Sequence, residues 1–170
     1  MSDLRTMKRL LRYDQTVYEA FERGLRRRGW VDAVKDRGIG HRSYKDTMVH
    51  ILNVYEAWFV AAAQGRWEVF DDERRRGQNV RSFTDLRSYR LRVWKEVEAL
   101  SAGLTAPRLA KRVKVPWMPG RYTLEDGIFQ VSFEQAHHLG EMIGASWQTN
   151  RSSPQMMWIP TLLGTRVSVT

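Results

Sequence analysis

Three times in this chain a hydroxyl residue is followed, three positions later, by an aspartate at the head of an apolar-periodic run. The quartets are Ser43-Tyr44-Lys45-Asp46, Ser82-Phe83-Thr84-Asp85 and Thr123-Leu124-Glu125-Asp126. At a helix start the hydroxyl accepts a first-turn backbone N–H, and the carboxylate sits at the positive end of the helix dipole. One such quartet is weak; three, each in register with three-and-four apolar spacing, commit the chain to helices. The spacing predicts helix two from about Tyr44 to Gln64, helix three from Ser82 to about Leu100, and helix four from Thr123 to about Gln148. Helix one precedes them, from Leu4 to about Arg28, on the stripe of Met7, Leu11, Tyr18, Phe21 and Leu25. Gly29 and Gly38-Ile39-Gly40 then give a loop.

Between helices three and four the pattern changes. Val113 and Val115 alternate with Arg112 and Lys114 before Pro116, Pro119 and Gly120 break the run, which reads as a short extended or hairpin-like crossover. The tail from Arg151, with Pro154, Pro160 and the apolar Met156-Met157-Trp158-Ile159, is expected to cross the helices or a partner in irregular form. With no internal repeat or linker, the 170 residues read as one all-α domain, large enough for a real core.

Composition removes several classes of function. The chain has no cysteine, so disulfides, thiolate metal sites and a protein thiol nucleophile are excluded, and any thiol chemistry needs an external thiol. The opening residues lack the apolar stretch of a signal peptide and no run is long enough to span a membrane, so a cytoplasmic location is expected. The formal charge is +9, largely arginine, concentrated in Arg26-Arg27-Arg28 and Arg74-Arg75-Arg76. Such a field attracts phosphates and nucleic acid, although the first cluster equally suits the negative end of helix one.

Of four histidines, three fall inside predicted helices. His50 lies on the apolar stripe of helix two, with Thr47, Ile51, Val54, Ala57, Trp58 and Ala61. Taken alone it reads as a hydrogen-bonded core residue. Helix four changes that, because Glu134 and His138 lie about 40° apart on one face, one turn from each other, with Glu141 on the same side. His137 points about 100° away from His138, so both imidazoles cannot meet one centre. A carboxylate and an imidazole one turn apart, facing a histidine of another helix, are a means by which helical bundles build metal sites. Spacing alone equally allows a plain Glu134–His138 ion pair.

The segments Ser43 to Trp58, containing His50, and Phe133 to Gln148, containing His137-His138-Leu139-Gly140-Glu141, resemble the DinB/YfiT-like superfamily. The resemblance implies an up-and-down four-helix bundle binding one divalent metal through a helix-two histidine and a histidine pair spaced i, i+4 on helix four. Carried onto this chain, the metal ligands are His50, Glu134 and His138, with glutamate where the family has its first helix-four histidine. Two histidines and a carboxylate leave open positions and suit zinc, nickel, iron or manganese. Glu141 is expected to orient His138, line the pocket or pair with an arginine in solvent, His137 to be structural or to support a ligand from outside, Gly140 to allow close helix approach, and Trp58 and Trp147 to lie in the core or the pocket wall. The resemblance further implies a homodimer and an enzyme, a transferase using a low-molecular-weight thiol or a thiol-dependent isomerase, while the residues are equally compatible with a metal-dependent hydrolase. The competing reading is a non-catalytic module, binding nucleic acid through its arginines or regulating through a degenerate metal site, with arginines gathered on one exposed face.

Overall fold

The computed structural model describes residues 3–70 and 79–153, which are mostly helical. In chain order the elements are α1 (Leu4–Arg28), α2 (Trp30–Val34), α3 (Tyr44–Tyr55), α4 (Phe83–Ala102), α5 (Ala106–Leu109), strands β1 (Arg112–Val113) and β2 (Tyr122–Thr123), and α6 (Leu124–Gln148). The Arg74-Arg75-Arg76 run and the apolar tail around Trp158 lie outside the described residues. No described helix is long and apolar enough to cross a membrane.

All three expected hydroxyls are caps. Ser43 Oγ accepts the Asp46 N–H at 3.1 Å, Ser82 Oγ that of Asp85 at 3.1 Å, and Thr123 Oγ1 that of Asp126 at 3.0 Å. Each contributes about 1 kcal/mol. At Thr123 the bond is returned, since its own N–H donates to Asp126 Oδ2 at 2.8 Å and completes a capping box. The Thr123 hydroxyl and then its N–H hold the Asp126 carboxyl below the ordinary range.

Two local features differ from expectation. Gly29, at φ 89°, ends α1, and the chain re-enters a helical turn at once as α2 where a loop was expected. Helix two has the expected length, but Glu56–Ala62 is wound as a π-helix. A wider turn of that kind shifts the faces of all following residues, and it is a frequent mark of functional sites. The expected crossover is a minimal hairpin, with Arg112 paired to Thr123 and Val113 to Tyr122 in antiparallel register.

Cross-helix contacts fix the directions of the four long helices. Arg26 donates to Phe83 O, Arg90 pairs with Glu22, and Trp94 meets Tyr18, so α4 runs against α1. The Tyr18 hydroxyl donates to Met48 O and the Tyr55 hydroxyl to Asp14, so α3 also runs against α1. Tyr44 meets Ser146, His50 meets Glu134 and Trp58 meets Gly127, so α6 runs against α3. The order is therefore up, down, down, up, which corrects the expected up-and-down arrangement. Residues 65–82 reach roughly 60 Å when extended, twice the roughly 30 Å of a 20-residue α4. That is length enough to carry the chain back to the end from which α3 set out.

The core lies among these helices and is centred on aromatic rings. Trp94 takes the edges of Tyr18 and Tyr55, at centroid distances of 5.5 and 4.8 Å. Two expectations about packing are overturned. Trp147 is 68% exposed, because it lies on the outer side of a last turn whose Ala145 and Ser146 face the bundle, whereas Trp58 is buried as expected. Gly140 has no atom within 4 Å of the place a Cβ would take, so it does not serve helix approach. That role falls to Gly127, where a Cβ would stand 2.6 Å from the Trp58 ring.

Candidate metal centre

Two turns into α3, His50 faces α6, and its Nε2 stands 3.3 Å from Glu134 Oε1. One turn further along α6, His138 brings its own Nε2 to 3.1 Å from the same oxygen. The antiparallel packing of α3 on α6 thus brings together the three residues singled out from the sequence. His137 points outward with its side chain 66% exposed, 3.7 Å from Glu141 Oε1 and edge-on to His138 at 4.8 Å, so that with those two residues it forms a second, more exposed group close enough to hold an ion.

A fourth residue belongs to the cluster and escaped the sequence reading. His41 lies in the loop before α3, yet its ring stacks on His50 at 3.7 Å and meets His138 edge-on at 4.7 Å. Ring nitrogens of His41, His50 and His138 all lie within 4.8 Å of one another. The loop is wound tightly to achieve this. The Arg42 N–H donates to Ile39 O at 2.7 Å, Arg42 adopts φ 66°, and its guanidinium is tied to Asp36 at 2.9 Å. A non-glycine residue in that left-handed region costs on the order of 1 kcal/mol, a strain located beside the site. Gly40 lets the loop dock, since a Cβ there would press on Glu141 Oε1 at 3.2 Å. The only sequence signal for His41 was a histidine between a glycine pair and a helix cap, and nothing local says that such a loop folds back over its own helix.

The electrostatics single out a cation. Burial pushes the Glu134 carboxyl up, but the hydrogen bonds and charges of His50 and His138 outweigh it and leave the pKa below the ordinary value. Glu134 is therefore an anion near neutral pH, and its other oxygen faces the Gln130 amide at 3.4 Å. Glu141 Oε2 lies 2.9 Å from His138 Nδ1. A carboxylate accepts only, so Nδ1 carries a hydrogen, and Nε2 meets Glu134 Oε1 either as a second donor of an imidazolium or as a lone pair sharing a cation with it. Two lone pairs across 3.1 Å repel unless a proton or a shared cation lies between them. Donors held by one ion at about 2.0–2.2 Å stand roughly 3.0–3.4 Å apart, the range in which both Nε2–Oε1 separations fall. One donor nitrogen from each of His41, His50 and His138 lies close enough to the others to hold a divalent ion, Glu134 Oε1 lies against two of these rings, and Glu141 stands at His138 Nδ1, where an outer carboxylate would fix its tautomer.

Beside His50 and Glu134 opens a cavity of about 460 Å³. Its walls are Val54 and Trp58 from α3 and its π-wound continuation, Phe70 from the connection that follows, and Trp117 and Met118 from the β1–β2 crossover. Asn53 and Gln130 are its uncharged polar groups.

No curated protein matches the sequence. The family model of the DinB superfamily matches residues 31–142, a span that runs from α2 through His41 and His50 to Glu141. The chain belongs to the DinB superfamily.

Proposed function

We propose that this protein is a divalent-metal-dependent enzyme, a four-helix bundle whose ion is held by His50, Glu134 and His138, with His41 as a further imidazole donor. The observation that carries this reading is the shared Glu134 oxygen, 3.3 and 3.1 Å from two imidazole nitrogens, beside a cluster of His41, His50 and His138 whose donor atoms lie within 4.8 Å of one another. His41 offsets the chain's departure from its family, since it returns a third imidazole to a site whose first α6 position is a glutamate. A mixed set of imidazole and carboxylate suits zinc, nickel, iron or manganese.

An ion so held supplies Lewis acidity, which activates water or an external thiol as nucleophile and polarises a carbonyl. The chain's own residues do the rest. Glu141 fixes the His138 ring, Gln130 steadies the second Glu134 oxygen, and the apolar cavity wall excludes water on the side of His50. Transfer to a low-molecular-weight thiol, or hydrolysis, is the class of reaction this arrangement serves. Ion pairing within the molecule supports an enzyme over a nucleic-acid module: Arg26, Arg37, Arg66, Arg90, Arg92 and Arg151 are each held by carboxylates.

Emission spectrometry of protein purified without chelator or metal-affinity resin is expected to give about one divalent ion per chain. Titration of metal into Glu134→Ala is expected to show affinity lower by about tenfold or more. Unchanged affinity removes Glu134 from the ligand set, and a protein that takes up no divalent ion under any loading removes the metal reading altogether.

A further inference from the structure

The cavity beside the histidine cluster has a character of its own. Aromatic rings reach it from three separate parts of the chain: Trp58 from the π-helical turn, Phe70 from the connection beyond, and Trp117 from the hairpin crossover. Phe70 and Trp117 stack on each other at 5.9 Å with 29° between their planes and together make up one wall of the cavity. Trp117 is half exposed, at 50%, so this wall borders solvent. The volume, about 460 Å³, lies within the range that takes up most of a small organic ligand.

Charge narrows the choice of ligand. The chain carries 28 lysines and arginines, yet none is among the described residues lining this cavity. Among the described residues its ionisable lining groups are His50 and Glu134, both at the histidine cluster. Among the described lining residues a phosphate or polycarboxylate finds no guanidinium or ammonium group to receive it, whereas a flat apolar ring meets aromatic faces that favour stacked or edge-on packing.

We propose that this cavity binds an uncharged aromatic group, with its polar substituent directed toward His50 and Glu134, so that the substrates are neutral aryl compounds and not phosphorylated ones. The inference deepens the metalloenzyme reading by naming the compound class, and rests on that reading only for what happens at the polar end.

Isothermal titration of the full chain tests the proposal, first as purified and then after dialysis against EDTA. With 2-naphthol as probe, binding is expected to both forms, and 2-naphthyl phosphate is expected to bind the EDTA-treated form at least about tenfold more weakly. Trp117→Ala, a half-exposed position away from the histidines, is expected to weaken 2-naphthol about fivefold or more while metal content stays at the wild-type level. On zinc-loaded protein, benzohydroxamate is expected to bind about tenfold more tightly than acetohydroxamate, because only the former carries a ring for the wall. If the protein takes up no metal but 2-naphthol still binds and responds to Trp117→Ala, the metal reading fails and the aromatic site stands. No 2-naphthol binding, no response to Trp117→Ala, or equal affinity for the phosphate ester overturns the aromatic site, whatever the metal content.

Discussion

Two carboxylates sit against α6 in opposite states, and the contrast shows what a buried acid's neighbours decide. Glu134 faces two imidazoles at the rim of a cavity and is held ionised. Asp14, on α1, is sealed in the core, where it accepts from the Tyr55 hydroxyl at 2.8 Å and the Ser132 hydroxyl at 2.6 Å, while Gln135 donates to its backbone oxygen at 2.9 Å. Burial dominates there, and although both hydroxyls pull the other way, the Asp14 carboxyl is pushed up to about 7. Neutral donors soften the desolvation of a carboxylate, whereas groups that can carry positive charge reverse it. The two clusters are interleaved on one helix, with Ser132 and Gln135 on either side of Glu134 in sequence, so side-chain direction alone separates a carboxylate among imidazoles from a core acid among hydroxyls.

The largest expected effect breaks the histidine side of this contrast. His138→Ala removes the imidazole nearest Glu134 and is expected to lower metal affinity about a hundredfold or more. His137→Ala, whose side chain faces solvent, is expected to leave metal binding near the wild-type level. Equal loss from both, measured by metal titration, would mean that the wrong face of α6 has been assigned.

Next in size is a change in the core. An unfolded Asp14 titrates near 3.8, and the folded protein holds the proton up to about 7. Below the lower value both states carry the proton and Asp14 costs nothing. As pH rises between the two, the unfolded chain gives up its proton first, so stability falls, and above the folded pKa the loss is complete at on the order of 4 kcal/mol. Asp14→Asn keeps an acceptor oxygen for both hydroxyls and has no proton to lose. Urea denaturation at pH 5 and pH 8 is expected to show the variant gaining on the wild type at the higher pH by a few kcal/mol. A difference that does not change with pH would show that Asp14 titrates normally.

The smallest effect sharpens the same point. Ser132→Ala deletes one hydroxyl that favours the ionised Asp14. The carboxyl should rise further, and stability at pH 8 should fall by about 1 kcal/mol while pH 5 is affected less. A loss of equal size at both pH values would mark Ser132 as a packing residue only.

Much of this protein was legible because the information was local. A cap is a contact between residues three apart, and apolar spacing repeats within a single helix, so Ser43, Ser82 and Thr123 declared three helix starts without help from tertiary structure. The relation of Glu134 to His138 was legible for the same reason, since one helical turn separates them wherever the helix lies. What the sequence did not decide was every relation that depends on how separate elements meet. The up, down, down, up order depends on where residues 65–82 deliver the chain, and length alone permits either end of the molecule. The choice between Gly127 and Gly140 as the point of close approach depends on which one meets Trp58. His41 enters the cluster through a loop that folds back over α3, held by Arg42 and by the room at Gly40. Residues 41 and 50 are too far apart in sequence for a helical rule to link them, and only packing against α6 brings both to His138.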